Sequence, residues 1–233
     1  MLSRFTSAYQ ISYPMLSDKG STVIRKFGIL NINVPPDVTR FYGIPFPGQY
    51  LIAPDGTVKD KLFLPDYQER PTASEILLTD FGVGSNSVTL HAEDVTAKVT
   101  VSDAKSYSGH QLGVSAAFDV GPGWHIYGAP LPPEYTVTKV TFGGDLVQNQ
   151  SLKFPPPMMR KFEALGQTFP VYEGKFTAVG NILLKQQLKP GDYKLAGTLE
   201  FQECNDNECK IPQSVTFEIP LKIAPLAPAA PKA

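Results

Sequence analysis

From about Ser87 onward, apolar and polar residues alternate in short runs. HAEDVTAKVTVSD, HQLGVSAAFDV, EYTVTKVTF, GKFTAVGNILL, DYKLAGTLEF and SVTFEIPLKI each repeat with a period near two, and Gly, Pro and Asn-rich turns separate them. Period two is the pattern of a strand with one buried face, and many short strands at this spacing predict an antiparallel sandwich of immunoglobulin-like size.

The first 80 residues have a different texture. SDKGSTVIRKFGI places Val23, Ile24, Phe27 and Ile29 near helical spacing, with Ser17 or Asp18 as N-cap. QYLIAPDGTVKDKLFL reads as strand, Asp-Gly turn, strand. In RPTASEILLTDFG, Thr72 and Glu75 match a capping box, Pro71 stands at the entry and Gly82 at the exit, which predicts a further helix. FGVGSNS then reads as a linker, and APLAPAAPKA as an Ala/Pro-rich tail with no core of its own.

Composition adds mainly exclusions. At 233 residues with 42% hydrophobic and 18% charged side chains, the chain can build a core without staples. A net charge of −1 with no basic block argues against nucleic acid. No run approaches the roughly 18 apolar residues of a membrane span. MLSRFTSAYQISYPM lacks the apolar run of a secretory signal, so the expectation is a cytoplasmic protein or a chain that starts downstream of its targeting segment.

The only cysteines, Cys204 and Cys209, stand in FQECNDNECKIP. In the strand before them Tyr193, Leu195, Leu199 and Phe201 share one face, and Cys204 falls in phase with the polar set, so a continuous strand would point it away from the core. Asn205 to Glu208 are natural loop residues, and cysteines at the two mouths of such a loop would sit about 4.5–5.5 Å apart at Cα, within disulfide range. The residues leave a structural clasp and a working redox pair open. A clasp over so short a loop is worth roughly 2 kcal/mol. A metal site is disfavoured, since zinc wants four ligands and His91, His110 and His125 are scattered singly; no cofactor is expected. Glu203, Asp206 and Glu208 crowd the sulfurs with Lys210 opposing them, which disfavours a thiolate. That chemistry suits a relay better than a primary nucleophile.

FQECNDNECKIPQSVTFEIPL and PGWHIYGAP (Pro122 to Pro130) together resemble the N-terminal (alpha) domain of the thiol:disulfide interchange protein DsbD, over roughly residues 90–222. The resemblance implies an immunoglobulin-like sandwich in which Cys204 and Cys209 carry electrons between thioredoxin-like or DsbD-type redox partners outside the cytoplasm. His125 and Tyr127 match the family's aromatic positions beside the pair. Trp124 and Tyr127 read equally well as ordinary core, and His125 is expected to orient or charge the site. In the family a loop caps the cysteines; its nearest counterpart here is PPPMMRKFEALGQTFPVY, Pro155 to Tyr172.

ISYPMLSDKGSTVIRKFGILN and YGIPFPGQYLIAPDGTVKDKLF resemble the later half of a redoxin of the AhpC/TSA, peroxiredoxin-like branch, over about residues 5–80, with Pro47 near the proline that faces the cysteines in thioredoxin relatives. No cysteine precedes Cys204, and the first strands of that fold are missing. The chain alone is therefore not expected to be a peroxidase, and the simplest expectation is that the protein begins upstream; a degenerate docking half is the alternative. The expected fold is mixed: a partial thioredoxin-like α/β segment (1–82), a linker (83–89), an all-β immunoglobulin-like sandwich (90–222) and a tail (223–233). The expected function is a thiol–disulfide relay. The alternatives are a redoxin fusion lacking its catalytic cysteine in this chain, and a binding sandwich with a structural disulfide.

Overall fold

A computed structural model describes residues 2–8, 11–38, 41–63, 72–162 and 166–225. They fall into two compact units that divide near residue 70.

The first unit holds α1 (Leu2–Ala8), α2 (Thr22–Lys26), β1 (Gln49–Ile52) and β2 (Val58–Leu62). The carboxylate of Asp18 accepts the backbone N–H groups of Val23 at 3.1 Å and Ile24 at 2.8 Å, satisfying donors that the first turn of α2 leaves without a helical partner. Asp18 therefore serves the expected capping role, although Ser21 is the residue at the N-cap. β1 and β2 pair antiparallel across the Asp55-Gly56 turn, where Gly56 takes φ 85°. Two strands and two short helices, the regular elements of this unit among the described residues, fall short of a thioredoxin sheet.

The second unit opens with α3 (Ala73–Phe81). Its capping box is complete: Glu75 N–H donates to Thr72 Oγ1 at 3.1 Å, and Thr72 N–H donates to Glu75 Oε2 at 3.3 Å. The strands follow: β3 (Asn86–His91), β4 (Val95–Val101), β5 (Lys105–Tyr107), β6 (Gln111–Val120), β7 (His125–Tyr127), β8 (Lys139–Gly143), β9 (Val147–Lys153), β10 (Met158–Phe162), β11 (Gln167–Tyr172), β12 (Lys175–Leu184), β13 (Gly191–Phe201), β14 (Glu203–Cys204) and β15 (Gln213–Ala224).

Two sheets form a sandwich. One has the order β3-β4-β6-β12-β9, all antiparallel; the other has the order β5-β15-β13-β8, antiparallel except for the β15–β5 pair. The alternation seen in the sequence is realised as burial. Val95, Ala97, Val99 and Val101 of β4 and Leu195, Leu199, Phe217, Ile219 and Leu221 of β13 and β15 are all in one core. Each large aliphatic or aromatic side chain so buried contributes about 1.5–3 kcal/mol. A third, smaller sheet, β10-β11-β7-β14, carries the cysteines.

Three boundaries differ from the pattern-based expectation. α3, expected to end the first segment, packs on the sandwich: Gln111 Nε2 and Asn181 Nδ2 donate to the Glu75 carboxylate at 3.1 and 3.2 Å. Gly113 gives the helix room, since a Cβ there would lie 2.9 Å from Glu75 Cα. β3 begins at Asn86, inside the stretch expected as linker, because Val88 and Leu90 keep a two-residue period despite the Gly and Ser around them. β15 continues to Ala224, into the expected tail, the rest of which (226–233) lies outside the described residues.

Candidate functional site

β13 leaves its sheet after Phe201. Gln202 makes the break: its Oε1 accepts Thr136 N–H at 3.1 Å and its Nε2 donates to the Lys210 carbonyl at 3.1 Å. The chain then joins the small sheet, with Glu203 opposite Ile126 and Cys204 opposite His125. Asn205 builds the turn that follows, its Oδ1 accepting the N–H groups of Asn207 at 2.8 Å and Glu208 at 2.9 Å. Lys210 N–H closes the hairpin on the Glu203 carbonyl at 2.8 Å. Cys204 and Cys209 face each other across its mouth, 4.1 Å apart at Cα, and are joined as a disulfide.

The two sulfurs have different environments. Cys204 is fully buried in a cluster with Tyr127, Phe169 and Val171, whereas Cys209 is exposed. The outward direction expected for Cys204 is thus overturned. The pleat of β13 does not extend past Gln202, and β14 follows the pleat of β7 instead.

Of the neighbours expected from the sequence, Tyr127 and His125 lie at the pair and Trp124 lies apart. The Tyr127 hydroxyl is 3.6 Å from Cys209 Sγ. Burial, with Tyr135 beside it, pushes the Tyr127 phenol up to about 12, so it remains protonated. His125 is fully buried, with ring centroids 5.3 Å from Tyr127 and 5.1 Å from Phe162, and neither ring nitrogen has a hydrogen-bond partner among the described residues. Burial, and secondarily the Arg160 guanidinium, hold it down to about 4 against the opposing pull of Glu173 and Asp206. It is neutral near pH 7. Trp124 packs against the sandwich core and carries the Lys210 ammonium 4.1 Å above its ring.

The acidic crowding expected around the sulfurs is answered by two cations. Lys210 Nζ meets Glu93 at 3.0 Å, Glu203 at 3.0 Å and Asp94. Burial pulls its ammonium down, but the hydrogen bonds it donates to Asp94, Glu203 and Glu93 outweigh that and raise it above the usual lysine value. Arg160 of β10 joins Asp206 and Glu173, each at 2.6 Å. Tyr135 and Asp94 were invisible to local pattern, standing about 70 and about 110 residues before Cys204, whereas Arg160, Phe162 and Phe169 lie in the segment that the resemblance offers as the cap. One signal was available: Arg160 is the sole arginine after Arg70.

β10 and β11 fall within the segment expected to cap the cysteines. β11 pairs with β7, and Phe162 of β10 packs on His125 and Phe169. Residues 163–165, between these strands in the sequence, lie outside the described residues. Between this hairpin and the cysteine loop runs a groove of ≈ 730 Å³, lined by Tyr127, Tyr135, Arg160, Phe162, Asp206 and Cys209. Among the described residues no group of three or more His, Cys, Asp or Glu is arranged to hold a metal ion, and no helix is long and apolar enough to cross a membrane.

The site is thus a disulfide hairpin carried on a small satellite sheet beside a β-sandwich. The model of the family "Thiol:disulfide interchange protein DsbD, N-terminal" matches residues 89–221, more than half of the chain, and the chain belongs to that family. The AhpC/TSA family model matches residues 1–61. Among solved structures, the N-terminal periplasmic domain of ScsB from Proteus mirabilis is similar at 14% identity and TM-score 0.44, over 62% of this chain and 55% of that one. The DsbD N-terminal domain of Neisseria meningitidis in the reduced form is similar at 16% identity and TM-score 0.30, over 60% of this chain and 90% of that one. The chain thus spans about half the length of the ScsB domain. A comparison with curated proteins finds no match.

Proposed function

We propose that Cys204 and Cys209 are a redox relay, cycling between dithiol and disulfide and exchanging two electrons with thioredoxin-like or DsbD-type partners outside the cytoplasm. One observation carries this reading: the disulfide joins an exposed residue, Cys209, in the lining of a groove, to a fully buried one, Cys204. Exchange needs a thiolate to reach one sulfur in line with the S–S bond. Cys209 is the sulfur a partner can reach, and Cys204 is the leaving group. In the reverse direction the Cys209 thiolate attacks a partner's disulfide, and Cys204 then resolves the mixed disulfide. Tyr127, protonated and beside Cys209, is a donor for the sulfur when it carries charge. The first unit contributes no thiol, so peroxide chemistry is not assigned to this chain.

Trapping tests the reading. Cys204→Ser, mixed with an oxidised thioredoxin-fold protein, should accumulate a mixed disulfide through Cys209, while Cys209→Ser should accumulate far less. A wild-type disulfide that stays intact in the presence of a reduced thioredoxin, with a potential below about −300 mV, would identify a structural clasp instead.

A further inference from the structure

One buried polar group stands out at the oxidised site. His125 is wholly inside the protein, and both its ring nitrogens lack a hydrogen-bond partner among the described residues. Buried polar groups are almost always paired, because leaving one unpaired forfeits its hydration. The position is specific. Cys204 is the residue directly opposite His125 in the β14–β7 pair. Opposed residues of an antiparallel pair carry their Cβ atoms on the same face, about 4.5–5.5 Å apart. Tyr127, two residues along the same strand and so on the same face, is 3.6 Å from the other sulfur. His125 thus stands opposite Cys204 in the strand pair, while Tyr127 lies beside Cys209.

A disulfide sulfur has no proton to donate. Reduction changes that. A donor's thiolate attacks Cys209 Sγ and forms a mixed disulfide; Cys204 Sγ leaves with the electron pair of the S–S bond and takes one proton from solvent. The donor's second thiol loses its proton to solvent and attacks its own half of the mixed disulfide, releasing Cys209 as a thiolate. Two electrons have passed to the pair, and the donor is a disulfide. The new Cys204 thiol lies in an apolar pocket, where burial favours S–H over the thiolate, and its proton needs an acceptor.

We infer that His125 is that acceptor: an imidazole with no hydrogen-bond partner among the described residues of the oxidised protein, which receives the Cys204 S–H bond in the reduced one. Its neutrality follows from burial and from Arg160 on β10, the cation facing it, with Glu173 beyond β11 and Asp206 in the cysteine loop opposing that effect. The arrangement biases the pair toward reduction, because the imidazole gains this hydrogen bond only in the dithiol form. His125 is therefore a positioning residue that sets the potential of the pair, an inference that rests on the relay reading above.

The test uses the full chain. His125→Phe fits the aromatic pocket and removes the acceptor, while His125→Gln keeps one. Equilibrium against glutathione buffers, read by thiol labelling, should shift about three- to tenfold toward the disulfide in His125→Phe. Tenfold corresponds to about 30 mV more negative for a two-electron couple. His125→Gln should recover at least half of the shift. In the wild type, the imidazole ¹⁵N signals of His125 should move on reduction, as a nitrogen gains a hydrogen bond. Equal equilibrium constants in wild type and His125→Phe, with imidazole signals unchanged between redox states, would overturn the inference. Failure of the wild type to exchange with a thioredoxin-fold dithiol, while the imidazole signals still move on chemical reduction, would remove the relay reading and leave the acceptor role standing.

Discussion

Glu203 and Lys210, the residues immediately before and after the two cysteines, meet behind the disulfide with Oε2 and Nζ 3.0 Å apart. Glu203 is wholly buried and Lys210 largely so, and their backbones are joined by the Lys210 N–H bond to the Glu203 carbonyl. The hairpin is therefore closed three times, by backbone, by ion pair and by disulfide. The ion pair makes a prediction of its own. Removing one member of a buried pair strands the other charge. Lys210→Met should destabilise the chain by about 3 kcal/mol in urea titration, and Glu203→Gln combined with Lys210→Met should recover part of that loss. A loss under about 0.5 kcal/mol for the single variant would mean that the pair is well hydrated.

His125 makes stability depend on pH. Its folded value is about 4, below the ordinary 6.5 of the unfolded chain. Between those values the unfolded state binds the extra proton, so stability rises with pH across the window and falls as the solution is acidified from about 6.5 to about 4. Below that both states are protonated and the loss saturates. The full difference is on the order of 3 kcal/mol. Unfolding curves of wild type and His125→Phe at several pH values should converge or cross in this window, with the variant losing less on acidification. Parallel curves would mean that the imidazole is hydrated.

Arg160 reaches both acids at the groove and also depresses His125. Its ion pairs are partly exposed, so Arg160→Gln should alter stability by no more than about 1 kcal/mol. It should nevertheless raise the His125 titration midpoint, because Glu173 and Asp206 then act unopposed. A histidine ¹³C shift titration reads this directly, and an unchanged or lowered midpoint would contradict the electrostatic account.

Gly113 is where α3 meets the sandwich. Gly113→Ala drives a methyl group into the backbone of Glu75, and it should cost about 1–3 kcal/mol. Hydrogen exchange should become faster across Ala73–Phe81 in the same variant. Unchanged exchange would mean that the helix is held by its caps alone.

What was legible in the sequence was local. The Asp55-Gly56 hairpin and the Thr72–Glu75 capping box are spelled in contiguous residues, and both appear as read. The sandwich followed from alternation, since a buried face leaves a period-two trace wherever a strand is long enough. The direction of Cys204 was not legible, because one residue, Gln202, interrupts the pleat and hands the chain to another sheet. The partners of the acidic loop were hidden for a different reason. Arg160 lies 46 residues before Asp206, and Asp94 lies 116 before Lys210. Nothing in the primary order announces pairs that only tertiary packing creates.

β13 and β15 are registered from Gly191↔Ile223 to Phe201↔Gln213, and the whole cysteine segment is spliced between the last two partners of that ladder. The ladder is complete without it. Making or breaking the S–S bond therefore perturbs an appendage whose two roots are already fixed. The sandwich acts as a mounting bracket, and the chemistry can be tuned, or lost, without re-threading a single core strand.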